Sequence, residues 1–365
     1  MMKFPRNLLT LFILSILALN ACAAPPTEDT TKMESEADLS AADLAAVKDY
    51  AIDQAEQMTA AAAELAATAQ SYYDLIAAYD FDYQGAWDAE SETLANLVAT
   101  AKAQWLTTSQ HYELNEGIVA GVPSLAYYDV WIDAGPSAAE DPAEALAWEL
   151  PLPDGRVLES PGNFFHHLTE PTIWATNPGF TGLAVDLDGN GEVEFAEGLP
   201  EANIFLGATQ GLDAAGGEML AAINAWEPTL SDAFTALAVM VPTMNEYFEQ
   251  WKLSSYVTGD STAEANFVAV SRLFDINGIL HGLDVTYANV GVVVETTNPE
   301  LHAQIDTNLD SLLAYVSDLY QQEQAGKVFS AEEADLFGTE AQEQATAISG
   351  QVSQAASLLD IEIQE

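Results

Sequence analysis

Between Asn298-Pro299 and Gly326 the chain sets Leu301, Ile305, Leu309, Leu312, Val316 and Leu319 three or four residues apart. That spacing gathers six apolar side chains on one helix face and leaves polar residues on the other, so the segment must bury a stripe against partners. Its ends are marked as well: Asn is a good N-cap, Pro suits the first turn and Gly suits the stop. Ser330 with Glu333 is a capping box for a following helix whose stripe includes Ile348, Val352, Ala355 and Leu359. Similar spacing runs from 40 to 79, with Ser40 and Asp43 as cap. It recurs from Tyr83 to about Ile118, then over Leu199–Ala225, Leu230–Tyr256 and Thr262–Val290. Residues 121–162 are rich in Pro, Gly and Asp and read as an irregular excursion before a short helix near Phe164–Ala175. Long helices with short connections imply antiparallel packing. The expected fold is all-α: two consecutive antiparallel helical bundles, residues 40–180 and 199–365, with an EF-hand-like calcium loop at 181–198 between them.

The N-terminus addresses the compartment. Lys3 and Arg6 precede an apolar run, Leu8 to Leu19, too short to span a bilayer, and Leu19-Asn20-Ala21-Cys22 follows. This reads as a secretory signal over 1–21 with a lipoprotein-type cleavage box, and Cys22 as the residue that carries lipid. Residues 22–39 are polar and without periodicity, as in a flexible tether. Cys22 is the only cysteine, which excludes an intrachain disulfide and a metal–thiolate cluster. The expected location is export with a lipid anchor in the cell envelope, on its periplasmic or extracellular face.

Nine Lys+Arg against 57 Asp+Glu give a net charge of −48, and cleavage before Cys22, which removes Lys3 and Arg6 but no acid, takes it to −50. Nucleic acid is therefore no partner, because its phosphates need basic contacts. Such a field gathers cations and keeps an exported chain soluble; it is also what a salty or acidic habitat selects.

Asp186-Leu187-Asp188-Gly189-Asn190-Gly191-Glu192-Val193-Glu194-Phe195-Ala196-Glu197 fits the twelve-position EF-hand loop. Asp186, Asp188, Asn190, Glu194 and Glu197 supply side-chain oxygens, Glu192 supplies a carbonyl, and Gly191 makes the sharp turn. Asn177-Pro178-Gly179 upstream argues against an entering helix, so a structural calcium clip is expected rather than a sensor.

Two of the five histidines stand together in Phe164-Phe165-His166-His167-Leu168-Thr169-Glu170. On an α-helix His167 and Glu170, three apart, share a face. The pair can be a transition-metal half-site, an acid/base couple, or a histidine held by a carboxylate inside a core. Upstream, Glu113 and Glu116 repeat the three-residue spacing at the end of the second long helix. His281 with Asp284, and Asp275 before them, are further candidates explained equally by structure.

Tyr112-Glu113-x-x-Glu116, then His167-x-x-Glu170 before Trp174, resembles the imelysin-like family, which includes EfeO/EfeM-type periplasmic iron-uptake lipoproteins. Ser271 to Leu283 and the helices after Asn298 resemble its later part, so the likeness spans roughly 40–362. Phe165 replaces a usual glycine, His166 adjoins the motif, and the calcium loop follows it as an insertion. The resemblance implies a two-bundle helical protein that holds a metal through His167, Glu170, Glu113 and Glu116. The expected function is a lipid-anchored envelope protein capturing iron, or another divalent transition metal such as zinc, for uptake, with an iron permease or envelope protein as partner. A zinc metallopeptidase and a calcium-stabilised interaction lipoprotein are the alternatives. H-E-x-x-H is absent, which weighs against the peptidase.

Overall fold

Alanine sets the spacing of the first helix pair. α1 (Leu44–Ala77) and α2 (Tyr83–Val119) pack along a seam in which Ala51, Ala55, Ala62, Ala69 and Ala101 are fully covered, so the two backbones run close together. Asp43, not Ser40, caps α1 by accepting from the Ala46 N–H at 3.0 Å, because Leu39–Ala41 already forms a 3-10 turn. The computed structural model describes residues 39–259 and 267–364. The signal at 1–21, Cys22 and the tether up to 38 lie outside them.

After α2 the chain is less regular, but it is not shapeless. α3 (Ala126–Asp129) runs into a π-helical turn, Val130–Ala134, and β1 (Glu149–Pro151) pairs antiparallel with β2 (Val157–Glu159), Leu150 opposite Leu158. A second π-helical turn, Phe164–Thr169, continues into α4 (Glu170–Ile173). β3 (Thr181–Leu183) pairs antiparallel with β4 (Leu199–Pro200). The acidic loop 186–197 is therefore the tip of a short hairpin, flanked by strands rather than by the helices of an EF-hand.

The rest is helical: α5 (Ala202–Ala225), α6 (Leu230–Met240), α7 (Met244–Leu253), α8 (Ser255–Thr258), α9 (Arg272–Val290), α10 (Val292–Thr297), α11 (Pro299–Gln324) and α12 (Ala331–Leu358). The all-α class holds. The segment Leu230–Tyr256, expected as one helix, is broken at Val241–Thr243, where Pro242 offers no N–H, and again at Ser254. α11 and α12 carry the expected caps: Asn298 accepts from the Leu301 N–H at 3.1 Å, and Ser330 and Glu333 bond reciprocally. Every residue of the Leu301–Leu319 stripe is buried.

The bundles are less separate than the linear order implies. α5 lies along α1, so it belongs with the first bundle rather than the second, and α9 packs on α2 as well as on α11 and α7. Glycine makes the α2–α9 contact possible. A Cβ on Gly278 would come within 2.7 Å of Glu113 Cβ, and one on Gly282 within 2.4 Å of the Leu114 carbonyl. α9 is thus a wall common to both bundles, and it is pressed against the acidic end of α2.

Candidate metal centre

Tyr112, Glu113 and Glu116 lie near the C-terminal end of α2 and are buried. The π-helical turn at 130–134 brings a third acid to them: Glu113, Glu116 and Asp133 each offer a carboxylate oxygen, and the three atoms lie within 4.8 Å of one another. Neighbours steer the group. The Tyr247 hydroxyl on α7 donates to Glu116 Oε1 at 2.6 Å, and the Tyr112 hydroxyl donates to Asp129 Oδ1 at 2.7 Å. From the first turn of α9, Arg272 donates through Nε to Gln250 Oε1 at 2.8 Å and through one Nη to Asp275.

Crowding carboxylates out of water disfavours their charge. Burial first, then Asp275 and Glu116, holds Glu113 well above the usual carboxylate range. Burial and Asp133 push Glu116 up to about 7. Burial, with Glu116 and Asp133, holds Asp129 well above the usual carboxylate range. Asp133 is the exception: burial would raise it, but His166 and Arg272 outweigh that and keep it low, hence ionised.

The histidine in this centre is His166, not His167. Residues 164–169 bond in the wider i→i+5 pattern, which swings the side chain three residues before Glu170 off its face and leaves the one four before it there. His166 Nδ1 lies 2.8 Å from Glu170 Oε2, and Nε2 lies 3.0 Å from Asp133 Oδ1 as an ion pair off the line of a hydrogen bond. Burial lowers the affinity of His166 for its proton, but Asp133 and Glu170 reverse this and push it up to about 10. The ring is an imidazolium at neutral pH and has no lone pair for a metal. His167 instead pairs with Glu140, and both line the same cavity as Glu116 and Asp133.

Glu170 is fully buried and acts as a tie. Besides His166, it accepts from the backbone N–H groups of Phe267, Val268 and Ala269 at 3.0, 2.7 and 2.8 Å. The local reason for the π turn is visible. Asn163 caps it by accepting from the His166 and His167 N–H groups, while Thr169 donates to the Phe164 carbonyl and accepts from Trp105 Nε1.

Of the four expected metal ligands, the structure brings Glu113 and Glu116 together, places Glu170 behind His166 with its oxygens occupied, and pairs His167 with Glu140 in the same cavity rather than with Glu170. The residues present suit a cation. Glu113 Oε2 and Glu116 Oε2 are buried with no partner outside the cluster, the two carboxyls sharing a hydrogen bond with each other, and Asp133 adds an ionised oxygen. An all-oxygen donor set favours hard cations over zinc. Sequence reasoning missed Asp133, Asp129, His166, Tyr247 and Arg272. The four-residue spacing of Asp129 and Asp133 was the available signal, hidden in a stretch read as irregular.

The expected calcium loop is geometrically separate. Asp186 accepts from the N–H groups of Gly189, Asn190 and Gly191 at 2.7, 3.2 and 2.8 Å, and Asp186, Asp188 and Glu197 offer oxygens within 4.8 Å of one another. Asn190 spends its Oδ1 on the Glu192 N–H and Glu197 spends an oxygen on the Glu194 N–H.

Compared with known families, the chain matches the Imelysin model (Peptidase_M75) over residues 174–359, 186 of its 365 residues. A search of the curated proteins gave no match. The matched region contains Tyr247, Arg272 and Asp275 but begins four residues after Glu170, so the acidic triad lies upstream of it.

Proposed function

The chain belongs to the imelysin family, and on that footing we propose that it is a metal-capture protein of the cell envelope. The cargo is iron or another hard cation, held by Glu113, Glu116 and Asp133. The observation that carries this reading is the pair of buried carboxylates whose Oε2 atoms find no partner outside the pair, facing a third that is ionised. A cation would replace the protons that Glu113 and Glu116 otherwise retain. His166 and Glu170 have a positioning role: the imidazolium fixes Asp133, and Glu170 fixes the imidazolium. Zinc fits the donor set less well, since no imidazole lone pair is offered.

Lys3, Arg6, the Leu8–Leu19 run and Cys22 support export and a lipid anchor, and with them an EfeO/EfeM-like place in iron uptake beside a permease or envelope partner. Asp186, Asp188 and Glu197, with Asn190, Glu192 and Glu194, support a second and structural role for calcium. Equilibrium dialysis with elemental analysis tests the reading. The protein should retain one equivalent of iron or manganese, and Glu113→Gln with Glu116→Gln should release it while calcium is kept. Equal retention by parent and variant would sink the site. Peptide cleavage that disappears with the same substitutions would favour the zinc peptidase instead.

A further inference from the structure

Arg272 is larger and less satisfied than a counter-ion for Asp275 requires. Its side chain is 5% exposed, and it lines a cavity of about 580 Å³ together with Glu116, Asp129, Asp133, Tyr247 and Phe267. Nε is taken by Gln250 and one Nη by Asp275. The other Nη donates to no atom among the described residues. A guanidinium has five N–H donors in a planar fork, and the edge left over here is not sealed in the core but borders the cavity. The group that the free edge of such a fork fits best is a carboxylate.

The surroundings hold that edge in place. The guanidinium carbon sits 4.4 Å from the ring centroids of both Tyr247 and Phe267, which restricts its swing. Tyr247 also separates two subsites. Its ring carries Arg272 on one face, while its hydroxyl holds Glu116, a member of the acidic triad. The cavity therefore presents a cation-binding cluster and an anion-binding fork about one tyrosine apart.

Size points the same way. An ion with six waters fills roughly 200 Å³ at about 30 Å³ per water, well under the cavity volume. Pockets of several hundred cubic ångströms are those that take small organic ligands.

We propose that this cavity takes its cation as a chelate with a small polycarboxylate, the metal on Glu116 and Asp133 at the cavity wall with Glu113 packed behind them, and a free carboxylate of the chelator on Arg272. This rests on the metal-capture reading and names the form of the cargo. Specificity would then come from both ends. A bare ion leaves Arg272 unpartnered, and an acid without metal leaves the triad facing uncompensated charge.

Dialysis of the protein against Mn²⁺ alone, radiolabelled citrate alone, and the two together tests it. Citrate should be retained one-to-one with manganese, at least tenfold more than in the absence of the metal. Arg272→Gln should cut that co-retention at least tenfold, and Arg272→Lys should restore part of it. Near-ultraviolet circular dichroism checks that each variant keeps its packed aromatic core. Should a variant not fold, co-retention by the parent protein decides by itself. Manganese bound while citrate stays free overturns the chelate proposal and leaves metal capture standing. Citrate retained equally without metal, or by a folded Arg272→Gln, also overturns it. If the protein retains no manganese in any arm, metal capture fails first and the chelate proposal falls with it.

Discussion

Two acidic clusters in this molecule, alike in composition, are opposite in physics. At the hairpin tip, Asp186 is held below its usual carboxylate range, chiefly by the Gly191 N–H and with help from Gly189 and Asn190. At the cavity, Glu116 and the Glu113 packed against it are held above theirs by burial and by neighbouring acids, Asp133 for the first and Asp275 for the second. The tip has its charge stabilised by backbone dipoles and water before any cation arrives. The cavity stores repulsion that a cation would relieve. A cation therefore changes little at the first site and a great deal at the second.

The largest expected effect comes from cutting the tie that shapes the cavity. Glu170→Ala leaves the buried imidazolium with Asp133 alone and three half-buried backbone donors without their acceptor, which should cost about 3–5 kcal/mol of stability by denaturant unfolding. Glu192→Ala at the hairpin tip should change apo stability by less than about 0.5 kcal/mol, as exposed substitutions do. Similar losses at both would erase the contrast.

Next, neutralising a cavity acid should help the apo fold while harming binding. Glu116→Gln keeps an acceptor for Tyr247 and should stabilise the apo protein by about 1–2 kcal/mol at pH 8, with at least a tenfold loss of manganese affinity by calorimetry. Destabilisation of the apo form would show that the repulsion is not stored there.

The two clusters should also respond to pH with opposite sign. Glu116 moves from an ordinary 4.5 to about 7 in the folded protein. Between those values the folded chain holds a proton that the unfolded chain has released, so its contribution to apo stability falls as pH rises. Asp186, depressed on folding, contributes stability that is present above its ordinary 3.8 and lost as pH falls. Thermal melts from pH 2 to 8, with Glu116→Gln flattening the upper limb and Asp186→Asn the lower, separate the two. The smallest effect belongs to calcium. Its addition should slow proteolysis within 186–197 while moving the melting midpoint less than manganese does.

Much of the fold was legible because it rests on local chemistry. Asn298-Pro299, the Leu301–Leu319 stripe and the Ser330/Glu333 box specify α11 and α12 without reference to anything distant. The site was half legible. Glu113 and Glu116 are on a regular helix, so their spacing could be read directly. The His167–Glu170 pairing assumed the same regularity, and a π-helical turn shifted the partner by one residue. That turn depends on Trp105 bonding Thr169 at 2.7 Å, a contact 64 residues away in sequence. Asp133 was hidden for a similar reason: its short helical turn has too few residues to show a period and is held by tertiary packing. α5 could not be assigned to a bundle from its stripe, since an apolar face does not name its partner.

The carboxylate of Glu170 reaches backbone donors 97 to 99 residues further along the chain. Closing a loop of that length sacrifices chain entropy before any contact compensates for it. The cavity should therefore be among the last parts to assemble on the ribosome's product and among the first to open under stress. A cargo that binds there would then act as a clasp, and the cell's proteases would distinguish loaded from empty protein by whether that clasp is shut.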